Sequence, residues 1–133
     1  MKDAALDLLF TLISYAATDS AIPPKAVRDE AARGLHLRSL QSPSNRAGTA
    51  VGLARARDLA NGRPISVATL KRMKAYFDRH EIDKTASGWK VGEENYPSKG
   101  LQAWLLWGGD SGRAWCLREL RKRDMLDKEG NLK

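Results

Sequence analysis

The segment Arg79-His80-Glu81-Ile82-Asp83-Lys84 places an imidazole among carboxylates and cations. Those are the materials of general acid–base chemistry. No nucleophile in the chain has an evident local partner, so no catalytic residue is assigned. A histidine at a helix end also caps carbonyls or bonds a carboxylate, and that structural role is the expected one. Cys116 is the only cysteine, so no internal disulfide can form. It falls inside a helical stretch between Trp115 and Leu117, without a local base to activate a thiolate, and is expected in the core. His36 and His80 are the only histidines. No Cys-x-x-Cys, His-x-x-x-His or acidic ligand loop occurs, so neither a metal site nor a cofactor is expected.

The formal net charge of +7 favours a polyanionic partner. The charge is spread rather than concentrated. Seven basic residues between Lys25 and Arg57 face Asp29 and Glu30, and from Arg113 to the end seven face four acids. One arrangement could read nucleic acid. Small apolar residues from Leu53 lead to Asn61-Gly62, and a serine-capped segment with Thr69, Lys71, Arg72 and Lys74 follows, which gives a helix-turn-helix-like unit over 53–74. Its four-residue gap between Gly62 and Ser66 is wider than the common form, and an ordinary hairpin with a solvated basic face is the competing reading. Arg118, Arg121, Lys122 and Arg123 form the second cationic group.

A third constellation is Ala103-Trp104-Leu105-Leu106-Trp107-Gly108-Gly109-Asp110 with Trp115. Paired glycines allow a sharp reversal between helices. Glycine-rich turns into helices also hold phosphates, but a carboxylate at Asp110 repels an anion, and the spacing fits neither a P-loop nor a dinucleotide fingerprint. A tryptophan-packed corner, with Asp110 or Ser111 capping the next helix, is the expectation.

The elements that must position these residues read as helical. A single 133-residue domain is long enough for one core. The expected fold is all-α, with five to six helices and one long ordered loop over about 81–98; strict apolar–polar alternation over four to eight residues is absent. Leu6, Leu9, Phe10 and Ile13 give an N-terminal helix over about 4–18 a broad apolar face, suited to the core or to a partner, including a second copy. That segment carries Asp7 and is short for a membrane span, so no membrane is expected. Ile22-Pro23-Pro24 starts the next helix, with Gly34 its candidate stop and continuation through Leu35, Leu37 and Leu40 the alternative. Thr49 to Ala60 and a Ser66-capped helix follow. In the latter, Val67, Leu70, Met73, Tyr76 and Phe77 are assigned to the apolar side, and Lys71, Arg72, Lys74 and Asp78 to the other. Trp89 and Tyr96 should pin the long loop to the body, and Ser98 should cap the helix before the corner. Residues 127–133 are expected to fray.

The order of these blocks resembles a small domain of tailed phages and prophages. The blocks are Gly34-Leu35; Arg55-Ala56-Arg57-Asp58-Leu59 with Asn61-Gly62; Arg72-Met73; Phe77-Asp78-Arg79-His80 with Asp83-Lys84; Pro97-Ser98; and the tryptophan–glycine corner with Trp115. That domain occurs alone and within head-region proteins. The similarity spans about Val27 to Leu120 and leaves the N-terminal 20 residues outside it. The resemblance implies phage origin and a place in the host cytoplasm or the virion; it carries no catalytic assignment, and a small enzyme around His80 and Asp110 stays as a third reading. The resemblance marks Arg79, His80, Asp83 and Asp110 as a shared polar core or candidate site. The expected function is therefore a non-enzymatic phage accessory protein that binds a macromolecule: a virion or head-assembly component, or its own copy through the first helix. The alternative is a basic DNA- or RNA-binding protein using Lys71, Arg72, Lys74 and the Arg118–Arg123 group.

Overall fold

Two prolines deliver the chain into its central helix. Pro23 and Pro24 fix an extended entry, and α1 runs from there over Lys25–Ser39. The computed structural model describes residues 19–133. The expected N-terminal helix, with its Leu6, Leu9, Phe10 and Ile13 face, lies outside the described residues. Among them, α1 is followed by α2 (Ala50–Ala60), α3 (Val67–His80), α4 (Lys99–Leu106) and α5 (Gly109–Lys122). Single 3-10 segments lie at Pro43–Asn45 and Glu81–Thr85. The fold is all-α, as expected. A two-residue antiparallel pair, β1 (Ser20–Ala21) against β2 (Ile65–Ser66), is too short to leave an alternation in the sequence.

Helix α1 packs on α2, α4 and α5, and α3 packs chiefly on α5. Val27, Ala31, Leu59, Leu70, Met73, Phe77, Trp104, Trp115, Cys116 and Leu120 form the shared core. Gly34 is not a helix stop. It lies inside α1 at the crossing with α4, where a Cβ would stand 2.8 Å from the Leu106 nitrogen and 2.9 Å from the Leu105 carbonyl carbon. A mid-helix glycine costs roughly 0.5–1 kcal/mol relative to alanine. Here it permits backbone-to-backbone contact between two helices. A sequence shows the glycine but not the neighbour it makes room for.

Three caps behave as their residue types require. Thr49 Oγ1 accepts from Gly52 N (3.1 Å), Ser66 Oγ from Thr69 N (3.2 Å) and Ser98 Oγ from Leu101 N (3.0 Å). Each contributes about 1 kcal/mol. The corner departs from expectation. Gly108, at φ +107°, is the cap residue of α5, and neither Asp110 nor Ser111 caps it. The left-handed turn places Asp110 in the first turn, where its charge still complements the helix dipole.

The long loop is ordered as expected. Trp89 packs edge-on against Trp104 at 5.7 Å between centroids, and the Tyr96 hydroxyl accepts from Arg33 at 3.3 Å. The end of the chain does not fray. Lys133 N donates to Met125 O (3.0 Å), and Leu126 bridges Leu132. Asp127 Oδ1 accepts from the nitrogens of Glu129 and Asn131, closing a small hairpin.

Candidate functional site

Helix α3 carries Tyr76 and His80 four residues apart, so their rings share one face. They stack at 4.6 Å between centroids, 28° from parallel. Trp107, the residue that ends α4, lies against Tyr76 at 4.7 Å and 10°. The Arg55 guanidinium of α2 reaches 5.7 Å from the Trp107 ring. This ring stack makes one wall of a cleft of about 710 Å³. The volume falls within the roughly 300–1,000 Å³ typical of ligand sites. The loop before α2, the N-terminal turn of that helix and α4 contribute the rest of the lining.

Four cations line the cleft: Arg46 from the loop, Arg72 and Arg79 from α3, and Lys99 from α4. They face a single carboxylate, Asp83. Arg46 is held by the chain itself, its Nε donating to Gln41 O at 3.0 Å. Arg72, Arg79 and Lys99 make no ion pair among the described residues. Asp83 is engaged, because His80 Nδ1 lies 3.0 Å from its Oδ2. A carboxylate can only accept, so the shared proton sits on Nδ1 and the other ring nitrogen is left for the cleft.

Beneath this surface the wall is closely packed. The Tyr76 hydroxyl is buried without a hydrogen-bond partner among the described residues. Burial first, and then the charge of Asp83, push its ionisation well above the usual phenol range. Burial likewise pulls the Arg55 guanidinium below its ordinary pKa, against the pull of Asp58. The cleft therefore offers fixed positive charge beside aromatic edges. Among the described residues no serine or cysteine lines it, and Thr49, whose hydroxyl does, is engaged as a helix cap.

Gln102 sets the shape. Its side chain is fully buried, and Oε1 accepts from Ala47 N (3.0 Å) while Nε2 donates to Asn45 O (3.1 Å) and Pro97 O (3.0 Å). One amide thus ties the Arg46 loop to α4 and to the end of the long loop. A buried amide satisfied three ways is strongly position-specific.

Of the candidate site residues, Arg79, His80 and Asp83 converge on the cleft and Asp110 does not. Asp110 lies at a second cluster, where its Oδ1 accepts from Trp104 Nε1 (3.0 Å) and Lys84 Nζ (2.8 Å). Of the proposed nucleic-acid residues, Arg72 lines the cleft and Lys71 is exposed beside it on α3. Lys74 is not on a solvated face. It is only 7% exposed and pairs with Asp78, because α5 covers that side of α3. In the helix-turn-helix-like unit, α2 packs chiefly on α1, and Thr69 is buried at the start of α3 instead of being presented to a partner. Arg118, Arg121, Lys122 and Arg123 belong to α5 and its end, away from the cleft lining; Lys122 and Arg123 pair with Glu119. Cys116 is buried as expected, and burial pushes its thiol up to about 12.

Arg46, Lys99 and Trp107 were not among the residues singled out for a site. Trp107 carried a signal in the corner motif. Arg46 and Lys99 carried none, since each sits among turn formers or at a helix start.

Among the described residues, no group of three or more His, Cys, Asp or Glu side chains could hold a metal ion, and no helix is long and apolar enough to cross a membrane. Comparison with protein-family models, curated proteins and solved structures gives no match to this chain.

Proposed function

We propose that this protein binds nucleic acid, holding a single-stranded segment in the cleft between α2, α3 and α4. The carrying observation is that Arg72, Arg79 and Lys99, unpaired among the described residues, meet Arg46 around a cavity walled by Tyr76, His80 and Trp107. Basic grooves beside aromatic rings hold single strands through phosphate contacts and ring contacts with bases. A single strand fits better than a duplex, because a cleft beside stacked rings suits unstacked bases. The phage resemblance supports a phage genome or transcript as the strand, handled in the host cytoplasm or the virion.

The test is fluorescence anisotropy with labelled single-stranded DNA and RNA in a salt series. Three phosphate contacts should lower affinity about 20-fold between about 50 and 200 mM salt. Absence of binding at the low-salt end sinks the proposal. So does full retention of affinity and slope by an Arg72→Ala/Arg79→Ala variant.

A second reading is that of a virion or head-assembly partner. It is favoured by Ile82 and Val91, which are 70% and 79% exposed on the ordered loop. Large aliphatic side chains this open suit a protein contact. Mass spectrometry of purified particles tests it, and absence of the protein from them counts against it.

A further inference from the structure

Lys99 lines two cavities. One is the cleft; the other is a pocket of about 300 Å³ between the 41–45 segment and the end of the long loop. The two are adjacent, and Gln102 fixes the separation of the smaller pocket's walls by bonding Asn45 O on one and Pro97 O on the other. The smaller pocket differs in chemistry. Lys99 is its only charge among the described residues; three amide residues line it, of which Gln41 donates to Leu37 O while the side chains of Asn45 and Asn95 make no hydrogen bond among the described residues. Asn95 holds a left-handed backbone at φ +66°, which asparagine tolerates better than most residues. Tyr96 lines the same wall, its hydroxyl already held by Arg33.

An amide offers a donor and an acceptor side by side. That pair matches the edge of a nucleobase and not a phosphate, which has only acceptors. A tyrosine beside it gives the base an apolar neighbour, as in single-strand readers. We infer that the smaller pocket reads one base of the strand whose phosphates the cleft holds, with Lys99 spanning the step between them. The inference rests on the nucleic-acid reading and adds sequence preference to it. The cleft supplies affinity through charge; the pocket supplies choice through the Asn45 and Asn95 amides.

The experiment measures binding of the whole protein to labelled single-base hexamers of A, C and T, and to the RNA hexamers of A, C and U, at low salt. Wild type should prefer one base about tenfold, the scale of one well-made amide–base contact. Asn45→Ala and Asn95→Gly should each cut that preference to about threefold or less. Affinity for the weakest hexamer and the salt slope should stay unchanged. Glycine at 95 keeps the left-handed backbone accessible, so loss of preference there would not come from misfolding. Equal affinity for all hexamers, abolished by Arg72→Ala/Arg79→Ala, would overturn the base-reading pocket and leave the cleft standing. A preference that survives in the Asn45→Ala/Asn95→Gly double variant overturns the pocket equally. Failure of every hexamer to bind overturns both readings.

Discussion

Two tryptophans three residues apart, Trp104 and Trp107, each gather cations, and their surroundings differ. Around Trp104 the charges are matched. Lys84 Nζ lies 4.7 Å and the Arg113 guanidinium 5.9 Å from its ring; Lys84 bonds Asp110, and Arg113 bonds Glu81 at 3.0 Å. The indole nitrogen itself donates to Asp110. Over Trp107 the Arg55 guanidinium pairs with Asp58 at 3.7 Å, but in the cleft that Trp107 lines Arg72, Arg79 and Lys99 stand without ion pairs among the described residues around one occupied carboxylate. The same residue types thus build a closed structural cluster on one side and an open one on the other. Cations that line a cavity without carboxylate partners attract an incoming anion, which is why the unmatched side is read as the site.

The largest effect that could break this comparison is on stability. Trp104 is 1% exposed and packs on Phe77 and Trp89. Trp104→Ala should cost about 3–5 kcal/mol in urea denaturation, and half-buried Trp107→Ala distinctly less. Equal losses would erase the distinction between the two clusters. Next comes the open side. Arg72→Ala/Arg79→Ala should weaken oligonucleotide binding at least about tenfold and reduce the salt slope by about 1.4, from about 0.7 per phosphate contact on a single strand. Exposed residues without partners should contribute within about 0.5 kcal/mol of stability, so the variant should melt like wild type.

A smaller effect sharpens the closed side. Burial raises the Asp110 pKa, but bonding and charge from Lys84, then the Trp104 indole and Arg113, outweigh it and leave the pKa below its ordinary value. A carboxylate depressed in the folded state adds stability above its unfolded pKa and loses it as pH falls through the folded value. Asp110→Asn should therefore lower the melting temperature at neutral pH, with the gap to wild type closing as pH drops below about 4. Exposure and solvent screening keep the effect under about 1 kcal/mol. A gap that widened in acid would contradict the assignment. Last, the buried Cys116 thiol, pushed up to about 12 and donating to Arg113 O at 3.2 Å, should stay unreactive toward thiol reagents at neutral pH. Rapid modification of the native protein would show that this part of the core opens.

Much of the site was legible because its residues are local. Arg79, His80 and Asp83 stand within five residues, and one helix turn and one 3-10 turn carry all three to the same rim. Lys74 was misassigned for the complementary reason. Helical spacing separates one face of α3 from another, but α3 is covered on two sides, by α5 and by α4 with Trp107 at its end, and no periodicity names a second neighbour. Arg46 and Lys99 were missed because they are brought together by Gln102, whose bonds span 57, 55 and 5 residues.

The sequence by itself determined the helices of the described residues, the Ser66 and Ser98 caps, the ordering of the long loop by Trp89 and Tyr96, and the burial of Cys116. These depend on interactions within a few residues or on the drive to bury large apolar surface, and both are written in residue type and spacing. The tertiary structure decided that Gly34 is a contact and not a stop, and that Asp110 binds an indole and a lysine instead of capping a helix. It also decided which cations find carboxylates and which do not. Charge matching depends on distances across the fold, and composition fixes only its total.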